Sequence, residues 1–307
     1  MKKVLLFSAL AIAISSSLIG CGGKSPEQHI ESAQQYIQLK DDAAAVIELK
    51  SAIQQAPDNA EARVLLGRIY LKIGEGVAAD KELTRALKNG AKLTEIAVDL
   101  ARAAYLSGVS PSVSLNVDIA DASNSNEFIK FYSLLTRFDN GELNNLATEF
   151  AAFSQETKND ATKNAANAVL SLLNQQNAKA ISHLQQINAD SPIYWDSQLL
   201  LAKAQLTDGL FKEAITTLKG YVAIATSANF AKLMLAETYV RNNQAADAAP
   251  ILSGLLALYP EQPLANYLTA VIAYEDKDFV KAKELAEKAV NNGFAVPNVR
   301  ILAALAA

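Results

Sequence analysis

The chain has 307 residues, of which 50% are hydrophobic, 20% charged and 7% aromatic, and its formal net charge is −4. This weakly acidic balance gives no electrostatic basis for nucleic-acid binding, and a single cysteine excludes an internal disulfide. The length alone would accommodate two globular domains. An alanine-rich composition with few glycines and prolines is instead typical of packed helices, so we expect stability to come from helix packing.

Residues 1–20 predict a signal peptide rather than part of the fold. Lys2 and Lys3 form a positive end, and the apolar run that follows, about 15 residues, is short for a membrane span. The run ends in Leu18-Ile19-Gly20-Cys21, which resembles the lipobox of bacterial lipoproteins. That resemblance implies cleavage before Cys21 and acyl chains on this residue, which would hold the protein in a membrane. The alternative is an ordinary secretory leader, or an uncleaved anchor, with a chance cysteine.

Residues 21–25 form a short tether between the lipid and the first helix. Gly22, rather than Asp, follows the cysteine. By resemblance to enterobacterial sorting, this predicts the periplasmic face of the outer membrane of a Gram-negative bacterium. Ser25-Pro26-Glu27-Gln28 predicts a helix start, because Ser25 can cap, Pro26 suits the first turn and Gln28 completes a capping box.

From residue 26 to residue 296 the chain repeats one pattern at a fixed period, and the period is about that of the tetratricopeptide repeat. Ala33, Tyr36, Ala45, Leu49 and Ala52 are followed one period later by Gly67, Tyr70, Ala79, Leu83 and Ala86. The pattern itself also resembles the signature of that repeat. The resemblance implies pairs of helices that cross closely where the contact residues are Ala or Gly. It predicts an all-α, right-handed superhelical solenoid of about eight helix-turn-helix units, in which each unit touches its neighbours.

The register predicts the crossing residue of each repeat. In the first helices these residues are Ala33, Gly67, Ala101, Leu135, Ala168, Ala202, Ala236 and Ala270, and in the second helices Ala45, Ala79, Val113, Ala147, Ala180, Ala214, Ala248 and Ala282. One step, between the fourth and fifth repeats, is shorter than the others by a single residue. Gly74, Gly108 and Gly209 share the position of the turn inside the repeat, where a left-handed residue is favoured.

Two segments depart from this pattern. Residues 110–160 are degenerate, and the Ser- and Asn-rich stretch around Pro111 predicts a weak second helix in the third repeat, with a hinge at Asp121–Asn126. Residues 297–307 resemble the opening of a ninth first helix. They either pack on the eighth repeat as a short lid or begin a longer array.

No constellation in the sequence predicts catalysis. His29 and His183 are the only histidines and stand on different repeats, so neither a metal cluster nor a His-dependent triad is supported. Gly74-Glu75-Gly76 lacks the remainder of a phosphate-binding loop. We therefore expect no catalytic residue, no metal and no cofactor.

The resemblance to tetratricopeptide folds implies a concave groove lined by first helices, at fixed offsets from the small residue. An acidic or C-terminal peptide would be the ligand of its basic end, where Arg68, Lys72 and Arg102 stand beside Tyr105. The plainer interpretation is a solvated helix face. The groove residues so implied, which suit an extended segment of a protein partner, are Arg68, Leu71, Lys72, Arg102, Tyr105, Tyr132, Lys203, Arg241, Tyr267 and Tyr274.

The first repeats also resemble the tetratricopeptide lipoproteins of the exosortase (PEP-CTERM) system. The resemblance lies in residues 44–53, 65–70 and 74–83. It implies a non-enzymatic scaffold that binds periplasmic or outer-membrane proteins in exopolysaccharide-linked sorting or assembly. Similar anchored solenoids serve pilus assembly, outer-membrane protein insertion and recruitment of peptidoglycan hydrolases. The rival class is a carbohydrate-acting enzyme or polysaccharide-binding protein with a site in the degenerate middle, whose carboxylates are Asp118, Asp121, Glu127, Asp139, Glu142 and Glu149.

Overall fold

A computed structural model describes residues 23–108, 123–294 and 297–305. The chain divides into two compact units, Met1–Pro57 and Asp58–Ala307. Every described element is a helix, which confirms the all-α prediction. The predicted signal peptide, Cys21 and the predicted second helix of the third repeat with its Val113 lie outside the described residues.

The first compact unit contains one helix pair, α1 (Pro26–Gln38) and α2 (Asp42–Gln55), which pack on each other. Its start is the capping box that the sequence predicts. The Ser25 hydroxyl accepts from the Gln28 N–H, and the Gln28 side chain accepts from the Ser25 N–H at 2.8 Å. The cap satisfies two backbone donors that the first turn leaves without helical partners.

The second compact unit contains the described helices of repeats 2 to 8 and the helix that follows them. Each helix packs on the next along the chain, and several first helices also contact the first helix of the adjacent repeat. The described helices are α3 (Ala60–Ile73), α4 (Gly76–Lys88), α5 (Leu93–Ser107), α6 (Ser123–Asp139), α7 (Leu146–Glu156), α8 (Asp160–Leu173), α9 (Asn177–Gln185), α10 (Tyr194–Thr207), α11 (Phe211–Ile224), α12 (Asn229–Arg241), α13 (Ala245–Leu258), α14 (Pro263–Glu275), α15 (Phe279–Asn291) and α16 (Pro297–Leu305).

A left-handed residue closes the first helix of each of the eight repeats. The sequence predicts this conformation at Gly74, Gly108 and Gly209, and all three have positive φ. Five further residues, which the sequence analysis did not name, also have positive φ at this position of the repeat. They recur at the repeat period, except for one step that is a single residue shorter, and the full set is Lys40, Gly74, Gly108, Gly141, Gln175, Gly209, Asn243 and Lys277.

The fourth repeat is one residue shorter than the full period, and the residue is missing between Leu135 and Gly141, at the C-terminal end of α6 and the turn that follows it. Leu135 still lies one full period beyond its counterpart Ala101, whereas Gly141 falls one residue short of a full period beyond Gly108. The second helix of this repeat is therefore shifted by one position. Ala147, the predicted crossing residue, is exposed, and Leu146 is fully buried in its place. The prediction for Ala147 was wrong because the sequence register placed the deletion too late.

Small residues at the helix crossing let the paired helices approach closely. A Cβ added to Gly67 would stand 2.7 Å from Leu83 Cγ and 3.5 Å from the Ala79 carbonyl oxygen. This confirms the predicted meeting of Gly67 and Ala79. The other predicted crossing residues in the described part are buried, Ala147 excepted.

Parts of the two segments that depart from the repeat pattern lie in described helices. Residues 123–126 of the predicted hinge belong to α6, while residues 121 and 122 lie outside the described residues. At the other end, α16 packs on α14 and α15, and its Val299 is fully buried beside Ala270 and Ala286. The terminal segment thus has the packing expected of a ninth first helix. Among the described helices, none is both long and apolar enough to cross a membrane.

Candidate functional site

Arg102 and Asp196 form an ion pair between two first helices, although they are separated by 94 residues in the chain. Arg102 of α5 donates from Nε to Asp196 Oδ2 at 2.8 Å and from Nη2 to Asp196 Oδ1 at 3.1 Å. The Asp196 side chain, on α10, is 0% exposed, whereas that of Arg102 is 22% exposed. Two parallel bonds are the geometry by which a guanidinium holds a carboxylate most firmly. This contact therefore joins repeat 3 to repeat 6.

Two tyrosines complete this cluster. Tyr132 of α6 donates its hydroxyl to Asp196 Oδ2 at 2.6 Å, so three hydrogen-bond donors converge on one carboxylate. The ring of Tyr105 on α5 lies beside that of Tyr132, tilted by 34° with the centroids 5.8 Å apart, and both tyrosines are buried. The Tyr105 hydroxyl is also buried, and no described residue hydrogen-bonds to it. We call Arg102, Tyr105, Tyr132 and Asp196 the inner cluster.

The charges of the inner cluster keep its donors protonated. Burial by itself would lower the pKa of Arg102, but the Asp196 carboxylate raises it above the ordinary value. Burial, with the negative charge of Asp196 added to it, raises the pKa of Tyr132 well above its ordinary value. Burial likewise raises the pKa of Tyr105, and the charges of Asp139 and Asp196 act in the same direction. The guanidinium and both hydroxyls therefore remain hydrogen-bond donors.

A second ion pair joins α10 to the end of α6. Lys203 Nζ, on α10, lies 2.7 Å and 2.8 Å from the two carboxylate oxygens of Asp139 at the end of α6. Both side chains are about one-third exposed. Lys203, a predicted groove residue, is therefore held by another repeat of the same chain.

A third contact joins repeat 2 to the linker between repeats 6 and 7. The Ser227 N–H donates to the Ile73 carbonyl at 2.9 Å. Ala228 lies against the turn of repeat 2 so closely that a Cβ on Gly74 would stand 2.6 Å from the Ala228 Cβ. We call this contact and the two ion pairs the closure contacts, because each connects repeats that are not adjacent.

The predicted basic strip is not a free cationic surface. Arg68 Nε lies 2.8 Å from Asp99 Oδ2 of the next first helix, and Arg102 is neutralised by Asp196. Lys72 is half-buried. The sequence argument counted cations at matching offsets, but it did not consider the carboxylates on α5 and α10 that face them.

Three predicted groove residues lie in the core. Leu71, Tyr105 and Tyr132 are buried and belong to the largest hydrophobic cluster of the second compact unit. Tyr105 therefore does not offer the flat exposed contact that its offset suggested. The physical reason is that first helices of other repeats cover this part of the face.

The remaining predicted residues lie on a more accessible face in repeats 7 and 8. Arg241 is exposed and stands over the Phe211 ring at 4.9 Å from its centroid. Tyr267, Val271 and Tyr274 of α14 are half-buried. We call Arg241, Tyr267, Val271 and Tyr274 the open face. It presents aromatic and aliphatic surface with one arginine, which pairs with Glu237 of its own helix at 3.7 Å. Aromatic residues and Arg are enriched in protein interfaces.

The four described carboxylates of the degenerate middle contact three different partners rather than one common point. Glu127 accepts hydrogen bonds from the segment before α8, Asp139 binds Lys203, and Glu142 and Glu149 both contact Arg137. In the part of the chain that the structure describes, no group of three His, Cys, Asp or Glu side chains could hold a metal ion. The other two carboxylates of the enzymatic alternative, Asp118 and Asp121, lie outside the described residues.

Sequence reasoning missed Asp196 and Tyr221. Asp196 stands six residues before Ala202, an offset at which Glu27, Glu61 and Glu95 also stand in the first three repeats, so an acid there did not indicate a buried carboxylate. The buried ring of Tyr221 lies near the inner cluster, where burial and then the charge of Asp196 raise its pKa. Its position in a second helix gave no signal either.

Comparison with known families finds the tetratricopeptide repeat. One model of that description matches residues 36–105 and 171–237, and another matches residues 233–298. Similar solved structures include a tetratricopeptide repeat protein from Parabacteroides merdae, with 16% identity, a TM-score of 0.45, and coverage of 92% of this chain and 99% of that one.

Two further structures are the TPR domain of P58(IPK), with 15% identity over 92% of this chain and 97% of that one, and yeast Tom70, with 14% identity over 89% and 70%. Their TM-scores are 0.35 and 0.33. None of the curated proteins matches the sequence at a significant level.

Proposed function

Because the chain belongs to the tetratricopeptide-repeat family, whose repeats are scaffolds for protein–protein interaction, we propose that it is a lipid-anchored, non-enzymatic scaffold. It would bind protein partners at the periplasmic face of the outer membrane. The observation that carries the proposal is the Leu18–Cys21 lipobox, which holds the only cysteine and stands directly before the first repeat. Acyl chains on Cys21 would supply durable membrane attachment, because each buried methylene contributes about 0.8 kcal/mol.

The order of the residues after the anchor supports a repeat array that begins at the membrane. Lys24, three residues after Cys21, binds Glu48 at 2.7 Å and Ser32 at 3.0 Å through its ammonium group. Its carbonyl accepts from Gln55 Nε2 at 3.2 Å. The tether is thus fixed to the first helix pair from Lys24 onward, and only two residues separate it from the lipidated cysteine.

The anchor is tested by fractionation and by labelling with a radioactive fatty acid. Wild type is expected in the outer-membrane fraction with the label, whereas Cys21→Ala should lose the label and the attachment. Ser15→Ala, in the same leader, is the matched control and should behave as wild type. A Cys21→Ala protein that is still processed and membrane-bound would refute the lipid anchor.

The open face is the surface that we propose for partner binding. Its side chains are half-buried or exposed and none of the closure contacts involves them. A photocrosslinking residue at Tyr274 should capture a periplasmic or outer-membrane protein, whereas the same residue at the exposed Val77 on α4 should not. Equal capture at both positions would argue against a specific surface on repeats 7 and 8.

The identity of the captured protein assigns the pathway. Exopolysaccharide-linked sorting or assembly is the proposal that the resemblance of the first repeats supports. Capture of a pilus component, an outer-membrane insertion factor or a peptidoglycan hydrolase would instead favour the corresponding adaptor role.

A further inference from the structure

The contact of Asp196 with repeats 3 and 4 is not required by stacking. In a repeat array, neighbouring repeats bury one another, and their stability needs no contact between distant repeats. Nevertheless Asp196 is drawn from repeat 6 into a fully buried position against α5 and α6, where a carboxylate is expensive to bury unless it is well paired. This carboxylate therefore behaves like a ligand that is bound by the first-helix face of repeats 3 and 4.

The donors around Asp196 exceed those that it uses. Arg102 and Tyr132 bind its two oxygens. Tyr105 is more than nine-tenths buried beside Tyr132, and its hydroxyl has no hydrogen-bond partner among the described residues. A buried donor without a partner destabilises the closed arrangement. A carboxylate on a longer or more mobile segment could approach the Tyr105 hydroxyl as a fourth donor.

We propose that Arg102, Tyr132 and Tyr105 form a binding site for a carboxylate of an acidic partner segment, and that Asp196 occupies this site as an internal competitor. The inference rests on the proposed scaffold function and names the chemistry of one partner segment. Binding would exchange one carboxylate for another on the same guanidinium and hydroxyl. Asp196, released with α10, would return to water.

Such an exchange requires the closure contacts to open, because α10 carries both Asp196 and Lys203. A partner shifts this equilibrium only by its preference for the open form. The exchange meets that condition, since the receiving donors are available to the partner only when Asp196 has left. The bound segment would then lie on repeats 3 and 4, distinct from the open face.

The first test measures binding of an oligoglutamate peptide to the full chain in detergent, with oligoglutamine as the uncharged control. Asp196→Asn removes the competing charge with little change in shape. We expect it to bind oligoglutamate at least about tenfold more tightly than wild type does. Adding Arg102→Gln to this variant should abolish the gain, and adding Tyr105→Phe should reduce it. Glu156→Gln, which breaks the exposed Lys130–Glu156 pair, should leave the affinity at the wild-type value.

The second test uses the chain with Asp196 intact and therefore does not depend on the folding of the variant. Spin labels at Thr94 on α5 and Thr207 on α10, both exposed, report the separation of the two helices. Saturating oligoglutamate should lengthen the distance between the labels, and oligoglutamine should not. An unchanged distance, or equal oligoglutamate affinity for wild type and a folded Asp196→Asn, would overturn the inference.

These outcomes separate the inference from the proposed function. Capture of a partner at Tyr274 together with no effect of Asp196→Asn would leave the scaffold standing and reject the carboxylate site. Failure to capture any partner in wild type and in the variant would reject the scaffold itself.

Discussion

The first-helix face is closed in repeats 3 to 6 and accessible in repeats 7 and 8, although the two regions share one register. Tyr132 and Tyr267 stand three residues before the crossing residue, yet Tyr132 is 2% exposed and Tyr267 is half-buried. Tyr105 and Tyr274 stand four residues after it, with the same contrast. The offset within the repeat therefore does not decide burial.

The difference follows from what faces each residue across the array. In repeats 3 and 4 the partner is Asp196 of repeat 6. The ring and cation contacts described for the open face instead lie within the same or an adjacent repeat, such as that between the Tyr267 and Phe294 rings, whose centroids are 5.3 Å apart. Contacts between distant repeats thus bury first-helix residues that stay accessible elsewhere in the array. Matched substitutions in the two regions separate the effect of these contacts on stability from the effect of the position within the repeat.

The largest effect on stability is expected for Arg102→Ala, compared with Arg68→Ala. Each arginine directly follows the crossing residue of its repeat. Loss of Arg102 leaves the fully buried Asp196 with only the Tyr132 hydroxyl, and breaking a buried pair in this way should lower the free energy of unfolding by about 3 kcal/mol. Arg68 is 48% exposed in its pair with Asp99, and its loss should change stability by less than about 1 kcal/mol. Chemical denaturation measures both. Similar values would mean that the inner cluster is solvated.

The next effect tests the closure between repeat 2 and the linker that follows α11. Gly74 and Gly209 both have positive φ, but only Gly74 faces another segment closely, at Ala228. Each change to alanine carries a left-handed penalty of about 1 kcal/mol. Gly74→Ala should lose about 1–2 kcal/mol more stability than Gly209→Ala, because the added methyl overlaps Ala228. Equal losses would show that the linker does not pack on this turn in solution.

The sequence predicted the helices well because their determinants are local. The repeat period, capping residues such as Ser25 and small residues such as Gly67 specify the pairs without reference to the rest of the chain. The error at Ala147 came from the position of one deleted residue. The turn glycine Gly141, one residue short of a full period beyond Gly108, was the signal in the sequence, and a register based only on the crossing residues did not use it.

The candidate site was predicted poorly because its determinants are remote. The offsets identified Arg102, Tyr105 and Tyr132 as neighbours on one face, and the structure brings these three together. Arg102 and Tyr132 are held by Asp196, which is 94 residues from Arg102. The curvature that brings α10 to α5 accumulates from small rotations between repeats, and no single residue encodes it.

A smaller effect is expected when one hydroxyl is removed from each region. Tyr132→Phe deletes a hydrogen bond to the buried Asp196 carboxylate, and bonds to charged groups contribute about 1.5–3 kcal/mol, so we expect a loss of about 1.5 kcal/mol. Tyr267→Phe removes a hydroxyl at the same offset on the open face and should stay within about 0.5 kcal/mol. Thermal unfolding of both variants is the measurement, and a stable Tyr132→Phe would argue that Arg102 alone holds Asp196.

The smallest effect is a pH dependence carried by Glu127, compared with Glu261 beside α15. Burial of Glu127 acts to raise its pKa, but hydrogen bonds from the Thr157 hydroxyl and two backbone N–H groups outweigh it and lower the pKa below 4.5. Because the folded pKa is lowered, the stabilisation is complete above pH 4.5 and is lost as the pH falls through the folded value. Glu127→Gln should therefore cost about 1 kcal/mol at neutral pH and little in acid.

Glu261 is the matched control for this acid dependence, since its pKa is also lowered, by hydrogen bonds from Asn292 and Lys288, but its side chain is 67% exposed. Water replaces those partners readily, so Glu261→Gln should show a smaller dependence than Glu127→Gln. Stability of wild type and both variants, measured by denaturation from neutral pH down to pH values below 4.5, gives the comparison. If the stability of Glu127→Gln changes with pH in the same way as that of wild type, the Glu127 carboxylate does not hold the segment before α8. Other contacts would then fix that segment in the degenerate repeats.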